Sequence, residues 1–346
     1  MKCAPLYRAL KNKNVEQLII HSGQHYDNKM SKIFFDELGL PNADYNLNIS
    51  GGLHGETTGK IMIEIEKLFH YLIANVNPID LVIVYGDVNT SLAAALVAQK
   101  MHIKIAHVEA GLRSYDKKMP EEINRVLIDH MSDYLFIPHG IAYTNLIKEN
   151  IYNNLNIVGN NMIDSLVYIL NSMSTAKNKL YDKYGVVTIH RPSNVDDINK
   201  LTTIIKTLKT VNKKVKLIFP IHPRTLNMIQ GTELYNELKD VHILEPQGYS
   251  DFINLIRNAN IIITDSGGIQ AEAEYLKIPC LTLRDTTEWN NTIQDGNNKL
   301  IKINDLYAEA ANIIDNKQSN KFTKNDLNDG KVSERIANII INKLYE

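Results

Sequence analysis

Short apolar runs, each closed by Gly, Asp, His or Pro, recur along the whole chain with stretches of helical period between them. Strands that are apolar throughout, rather than at alternate positions, are buried on both faces, and such strands belong to parallel sheets covered by crossover helices. The pattern predicts an α/β fold. In the first half the expected strands are Gln17–His21, Leu81–Tyr85, Ile103–Val108, Tyr134–Ile137 and Asn156–Val158, with helices such as Leu92–Lys100 and Glu121–Met131 between them, forming one doubly wound sheet. The polar stretch Ser172–Tyr184 interrupts the pattern, which restarts with Val186–Ile189, Lys216–Ile221, His242–Leu244, Ile261–Thr264 and Cys280–Leu283. A chain of 346 residues suits two such domains. They are placed at residues 1–171 and 172–330, and a final amphipathic helix over 331–346 is expected to return to the first. Open α/β sheets bind ligands beyond the carboxyl ends of their strands, so the chemistry is expected in a cleft where two Rossmann-like domains face each other. The chain opens on the helical pattern APLYRALKNKN. A doubly wound domain normally begins with a strand, so its first strand is expected to be missing.

Charge and composition narrow the function. Lys and Arg total 38 against 39 Asp and Glu, which leaves no global positive charge to hold a nucleic acid or an anionic membrane. Any anion site must be local. Cys3 and Cys280 stand alone and far apart, so neither a disulfide framework nor a zinc knuckle is expected. No apolar run approaches the roughly 18 residues of a membrane span, and the amino terminus lacks the apolar core of a signal peptide. The expected compartment is the cytoplasm, with no nucleic acid and no membrane among the partners.

The sharpest local signal is Ile261–Leu276, IIITDSGGIQAEAEYL, in which an apolar run ends in Asp265, Ser266, Gly267 and Gly268 and opens directly into a helix. Strand, tight turn and helix start make an anion cradle, because glycines admit a phosphate close to the backbone and the free amides of the first turn point at it. Glu272, about one turn in, could accept hydrogen bonds from ribose hydroxyls; an ordinary helix cap by Ser266 or Asp265 is the plainer alternative. No G-x-G-x-x-G occurs, and SGGLHGETTGK misses a P-loop because Gly55 and Gly59 are too close and Ile61 replaces the required hydroxyl residue. Neither a dinucleotide nor an ATP-driven step is indicated.

Three carboxylates follow strands or open helices in the first half: Asp87 in VIVYGDVNT, Glu109 in IAHVEAGLR and Glu121 in KKMPEEINR, with Arg125 four residues beyond Glu121 on the same helix face. In a partly dry site they can exchange protons; taken singly, each also suits a cap, a strand-end ion pair or a surface pair. In the second half, strands end in His190-Arg191 and His222-Pro223-Arg224, cationic or proton-donating groups suited to a diphosphate. No H-E-x-x-H or similar short spacing supports a metal there. His25 and His107 read as positional, hydrogen-bonded groups.

In order, HSGQHYD, VYGDVNTSLAAALVA, HVEAGLRSYDKKMPEEINR, TIHRPSNVD, IHPRT, TDSGGIQAEA and LRDTTEW resemble the non-hydrolysing UDP-N-acetylglucosamine 2-epimerases from about Lys2 to the end. The resemblance implies a GT-B fold of two facing Rossmann-like domains, a homodimer, a UDP-sugar substrate, no redox cofactor and interconversion of UDP-GlcNAc and UDP-ManNAc. It implies roles for Asp87, Glu109 and Glu121 as acid/base and cation-stabilising carboxylates, and for His190 as a catalytic or diphosphate-binding group. Ser266, Gly267, Gly268 and Glu272 match UDP-binding positions, with Lys2, Arg125, His222 and Arg224 as supports. By this resemblance the family's opening strand and its Gly-Thr-Arg-Pro-Glu loop are expected to be missing, and Asn290-Asn291 stand where the family usually has Pro and an acidic residue.

The chemistry suits these residue types. The C2 proton of the sugar is not acidic while C1 is an acetal; breaking the C1–O bond first creates an oxocarbenium-like centre that acidifies C2. A site for this step needs cations and helix amides for the leaving diphosphate, a carboxylate for charge at C1, and acid/base groups on both faces of C2. A hydrolysing epimerase or a diacetamido-uronate nucleotide epimerase would use nearly the same residues. A truncated nucleotide-sugar-binding protein would keep Ser266–Glu272 without needing the three carboxylates, and a GT-B glycosyltransferase shares the fold alone.

Overall fold

The computed structural model describes residues 1–23, 33, 35–173, 180–316 and 326–345. It divides into two compact units, one formed by Met1–Tyr168 together with Asn325–Glu346, the other by Ile169–Lys324.

Among the described residues the second unit holds six parallel strands: β7 (Tyr184–Thr188), β8 (Lys216–Pro220), β9 (His242–Leu244), β10 (Ile261–Thr264), β11 (Cys280–Thr282) and β12 (Asn298–Leu300). Their order is β12-β11-β10-β7-β8-β9, the dinucleotide-fold order in which the direction of winding reverses between β7 and β10. The register sets Ile261 against Gly185 and Thr264 against Thr188. Val187, Leu217, Phe219, Ile261, Ile263 and Leu281 point into one core with the helix Ile198–Asn212, whose Leu201, Ile204, Ile205, Leu208 and Val211 fall on one face. That helix begins where the Asp197 side chain accepts from the amides of Asn199 and Lys200.

In the first unit the single sheet expected from the sequence does not form among the described residues. A parallel pair, β1 (Ile20–His21) with β2 (Tyr45–Asn46), stands apart from a four-stranded sheet ordered β3 (Leu81–Tyr85), β4 (Lys104–Val108), β5 (Tyr134–Ile137), β6 (Leu155–Ile157). No described strand bridges β1 and β3, so the ladder is interrupted there. The opening segment is a helix, Cys3–Lys11, as its pattern predicts.

The last helix, Val332–Tyr345, belongs to this unit. Its Val332, Ile336, Ala337 and Ile340 share a core with Leu6, Leu10, Val108 and Phe136. Its first amides are capped from far away in sequence: Asp164 accepts from Val332 N at 3.1 Å and from Ser333 N at 2.6 Å.

Candidate active site

In the first unit the expected residues gather at the carboxyl ends of β3 and β4. Gly86 and Asp87 follow β3 and Glu109 follows β4, with Glu109 held in the left-handed region at φ 80°. A non-glycine residue there is strained, and such strain persists only where the surroundings hold it. Lys2 Nζ lies 2.5 Å from Glu109 Oε1, while Glu109 Oε2 is buried with no partner. Gly86 stands at φ 60°, where glycine is favoured, and a Cβ there would lie 2.6 Å from Lys2 Nζ and push the ammonium aside. Burial pushes the Glu109 carboxyl above its ordinary value, with Asp87 adding to the push and Lys2 opposing it. Burial alone would lower the Lys2 ammonium, but Glu109 and Asp87 outweigh it and hold Lys2 above the usual lysine value. A carboxyl group raised toward neutrality beside a bound cation can both give and take a proton.

Arg125, on the helix Pro120–Met131, joins this cluster through other partners than the sequence suggests. Its guanidinium donates to Asp87 Oδ2 from Nε at 3.2 Å and again from Nη2, and it donates from Nη1 to Glu122 Oε2. The expected neighbour Glu121, four residues earlier, stays half-exposed at the first turn. Glu122 is instead the buried one, accepting from Ser114 N and Oγ and from Tyr115 N, so it ties the loop before the helix to the helix itself. The i+3 and i+4 positions both face Arg125; the burial of Glu122 decides between them. Asp87 is thereby aimed by Arg125, and its backbone carbonyl accepts from Asn124 Nδ2 at 2.8 Å.

In the second unit His190 follows β7 and Asp265 follows β10, so the two stand at the point where the winding reverses, the usual ligand position in such a sheet. Asp265, wholly buried, accepts from the amides of His190 and Arg191, from Asn194 Nδ2 and from His190 Nδ1 at 3.0 Å. Burial pushes its carboxyl up, but His190 and these donors outweigh it and leave it below the ordinary value. The sequence offers Asp265 only as a helix cap; its work of orienting His190 depends on strand neighbours 75 residues apart. The His222 ring sits 5.3 Å from that of His190, and its Nδ1 accepts from Arg224 N. Burial, then His190 and Arg224, lower His222. Arg224 itself makes a two-pronged exposed pair with Asp196, at 2.9 and 2.7 Å.

The helix Gly267–Leu276 begins directly after β10, and Ser266 at its N-cap makes no side-chain capping bond. The first-turn amides therefore have no cap from that side chain, which is what an anion-binding helix start requires. A Cβ at Gly267 would lie 2.2 Å from Glu288 Oε1, so any larger residue there would have to displace the Glu288 carboxylate. Glu288 is held by Arg284 at 2.9 Å. Glu272 is buried one turn on, accepts from the Tyr249 hydroxyl at 2.8 Å, and is pushed up to about 7 by burial, which that hydrogen bond opposes. Tyr249 is a partner that no sequence spacing announces. His25 lies outside the described residues.

An α/β chain with carboxylates at the strand ends of one unit and a glycine-rich helix start at the switch point of the other falls in the class of GT-B-like nucleotide-sugar enzymes. A profile of the UDP-N-acetylglucosamine 2-epimerases matches residues 8–341. The chain is 45% identical to the UDP-N-acetylglucosamine 2-epimerase of Methanocaldococcus jannaschii, over 98% of this chain and 95% of that protein. It is 40% identical to the UDP-2,3-diacetamido-2,3-dideoxy-D-glucuronate 2-epimerase of Pseudomonas aeruginosa, over 87% and 85% of the two chains. The crystal structure of the Methanocaldococcus enzyme in complex with UDP-GlcNAc and UDP superposes with a TM-score of 0.88 at 44% identity, covering 99% of this chain and 96% of that one. The chain belongs to the UDP-N-acetylglucosamine 2-epimerase family.

Proposed function

We propose that the protein interconverts UDP-GlcNAc and UDP-ManNAc by eliminating and re-adding UDP. The observation that carries this reading is Glu109: a buried carboxylate with one oxygen on Lys2 and the other unpartnered, beside Asp87, in a family of 2-epimerases. The second unit supplies diphosphate binding through the amides of Ser266, Gly267 and Gly268, with His190 set by Asp265 to neutralise or protonate a departing phosphate oxygen, and Glu272 accepting from ribose. His222 and Arg224 add positive or donating surface to the same task. The first unit supplies proton transfer at C2 through Asp87 and Glu109, with Glu121 as the carboxylate that stabilises positive charge at C1, and Lys2 and Arg125 as their counter-ions. Loss of UDP leaves a 2-acetamidoglucal; adding a proton to its other face and returning UDP to C1 gives the epimer. Every electron pair is accounted for without a redox cofactor.

Incubation with UDP-GlcNAc in deuterated water tests the reading: UDP-ManNAc carrying deuterium at C2 is expected. Free ManNAc with UDP would indicate the hydrolysing reaction, and turnover only of a diacetamido-uronate substrate would move the chain to the second relative's activity.

The same reading includes a homodimer, supported by exposed apolar side chains Ile63 and Tyr71 on the helix His54–Asn75 and Ile123 and Leu127 on Pro120–Met131; light scattering checks it. It includes a cytoplasmic location, which free Cys3 and Cys280 suit. No helix among the described residues is long and apolar enough to cross a membrane.

A further inference from the structure

His107 lies on β4, two residues before Glu109, and is completely buried. Its Nδ1 is 2.6 Å from Asp129 Oδ1 and its Nε2 is 2.9 Å from the carbonyl oxygen of Gly86. A carbonyl oxygen only accepts. The Asp129 carboxylate accepts as well, since its other oxygen already takes Gly111 N at 3.0 Å and Arg113 Nη1 at 2.7 Å. A neutral imidazole donates from one nitrogen and presents a lone pair from the other, so a neutral ring would leave one of these two contacts lone pair against lone pair. Only the doubly protonated ring satisfies both. The surrounding charges close around it: Arg113 is shared between Asp129 and Glu149, whose oxygens lie 2.8 and 2.6 Å from its Nε and Nη2, so the positive charges of His107 and Arg113 meet the negative charges of Asp129 and Glu149. Glu109, two residues further along the chain, feels the charge of His107 as well as those of Lys2 and Asp87.

The two ends of the ring hold two different turns. Gly86, at φ 60°, immediately precedes Asp87, and its amide donates to Val108 O at 3.0 Å. Gly111, at φ 81°, is held by Asp129 two residues after Glu109, and a Cβ there would lie 2.4 Å from the Ala142 carbonyl oxygen. One ring therefore joins the turn that carries Asp87 to the turn that carries Glu109.

We propose that His107 is a positioning residue of the epimerase reaction, a buried imidazolium that clamps the Gly86–Asp87 turn to the Glu109–Gly111 turn and fixes the spacing of the two carboxylates. The proposal rests on the reading of Asp87 and Glu109 as proton-transfer groups. It is independent of substrate contact, because His107 is completely buried and, among the described residues, its ring bonds Gly86 and Asp129.

Nitrogen-15 labelling of the histidines in the full chain reads the ring directly at the pH of the assay. Two protonated ring nitrogens are expected for His107, and one bare nitrogen overturns the clamp. His107→Gln keeps one donor and most of the volume, and should lower kcat about a hundredfold, the effect of misplacing catalytic groups by about an ångström. Its KM for UDP-GlcNAc and its UDP affinity should stay within about twofold of wild type. An unchanged kcat overturns the proposal, and so does a fall in kcat matched by an equal loss of UDP affinity, the pattern of general disorder. If the variant does not fold, the wild-type nitrogen spectrum decides. A wild-type protein that does not epimerise would sink the functional reading instead, and the ring's protonation would still test the clamp.

Discussion

His190 Nδ1 lies 3.0 Å from Asp265 Oδ1, and through that contact the carboxyl end of β10 dictates the orientation of a side chain at the end of β7. Asp265 makes the same connection through the backbone, since it accepts the amides of His190 and Arg191. The imidazole and the segment that carries it are set by one carboxylate.

Asp265→Asn should therefore cost about 2–4 kcal/mol of stability at neutral pH, as expected for removing the charge from a buried, hydrogen-bonded pair. Its folded-state carboxyl is depressed, so the stabilisation is fully present above the unfolded value of about 4 and is lost as pH falls through the folded value. Urea unfolding at pH 7 and in acid should show the gap between wild type and variant closing on acidification. A gap independent of pH would mean that the charge plays no part.

Glu109→Gln and Asp87→Asn should each lower kcat by about a hundredfold or more, the usual loss for a proton-transfer group. Calorimetric UDP binding should be retained. If UDP binding collapses instead, the two carboxylates are structural.

Glu272 carries an opposite pH signature. Its folded-state value is raised by burial to about 7, so it favours folding below its unfolded value of about 4.3 and burdens the ligand-free protein as pH rises through 7. Glu272→Gln should match wild type near about pH 4 and exceed it by about 4 kcal/mol well above neutrality, at about 1.4 kcal/mol per pKa unit. Thermal unfolding at the two extremes measures this. Ribose binding should suffer in the same variant, because a neutral amide accepts hydrogen bonds more weakly.

The long-range cap of the last helix should be measurable by itself. Asp164→Ala removes acceptors from the amides of Val332 and Ser333 and should cost about 1–2 kcal/mol. Hydrogen exchange should accelerate first in Val332–Tyr345. Asp164→Asn should recover part of the loss, and equal protection in all three proteins would argue against the cap.

The parts of this structure legible in the sequence are those whose physics is local. Runs such as Ile261–Thr264 are buried on both faces and announce their strands, and the glycines after Ser266 announce a helix start. β2 and β12 escape such a reading because Tyr45-Asn46 and Asn298-Lys299-Leu300 are short and polar, as suits strands with one open side. The carboxylates at strand ends are visible as motifs, but their partners are not. Lys2 and Glu109 are 107 positions apart, and His107 and Asp129 meet only because β4 and the helix Pro120–Met131 pack together. The choice of Glu122 over Glu121 for Arg125 is likewise made by burial, which helical spacing alone does not specify.

The return of the last helix to the first unit has a consequence for biosynthesis. A ribosome making this chain from its amino end delivers Ile169–Lys324 whole while the first unit still lacks Val332, Ile336 and Ile340. The unit begun first is thus finished after the second, and until Val332–Tyr345 has been made Leu6 and Leu10 lack the helix that packs on them. A stalled or clipped nascent chain would release a folded second unit attached to an unfinished first one, a ready substrate for cellular quality control.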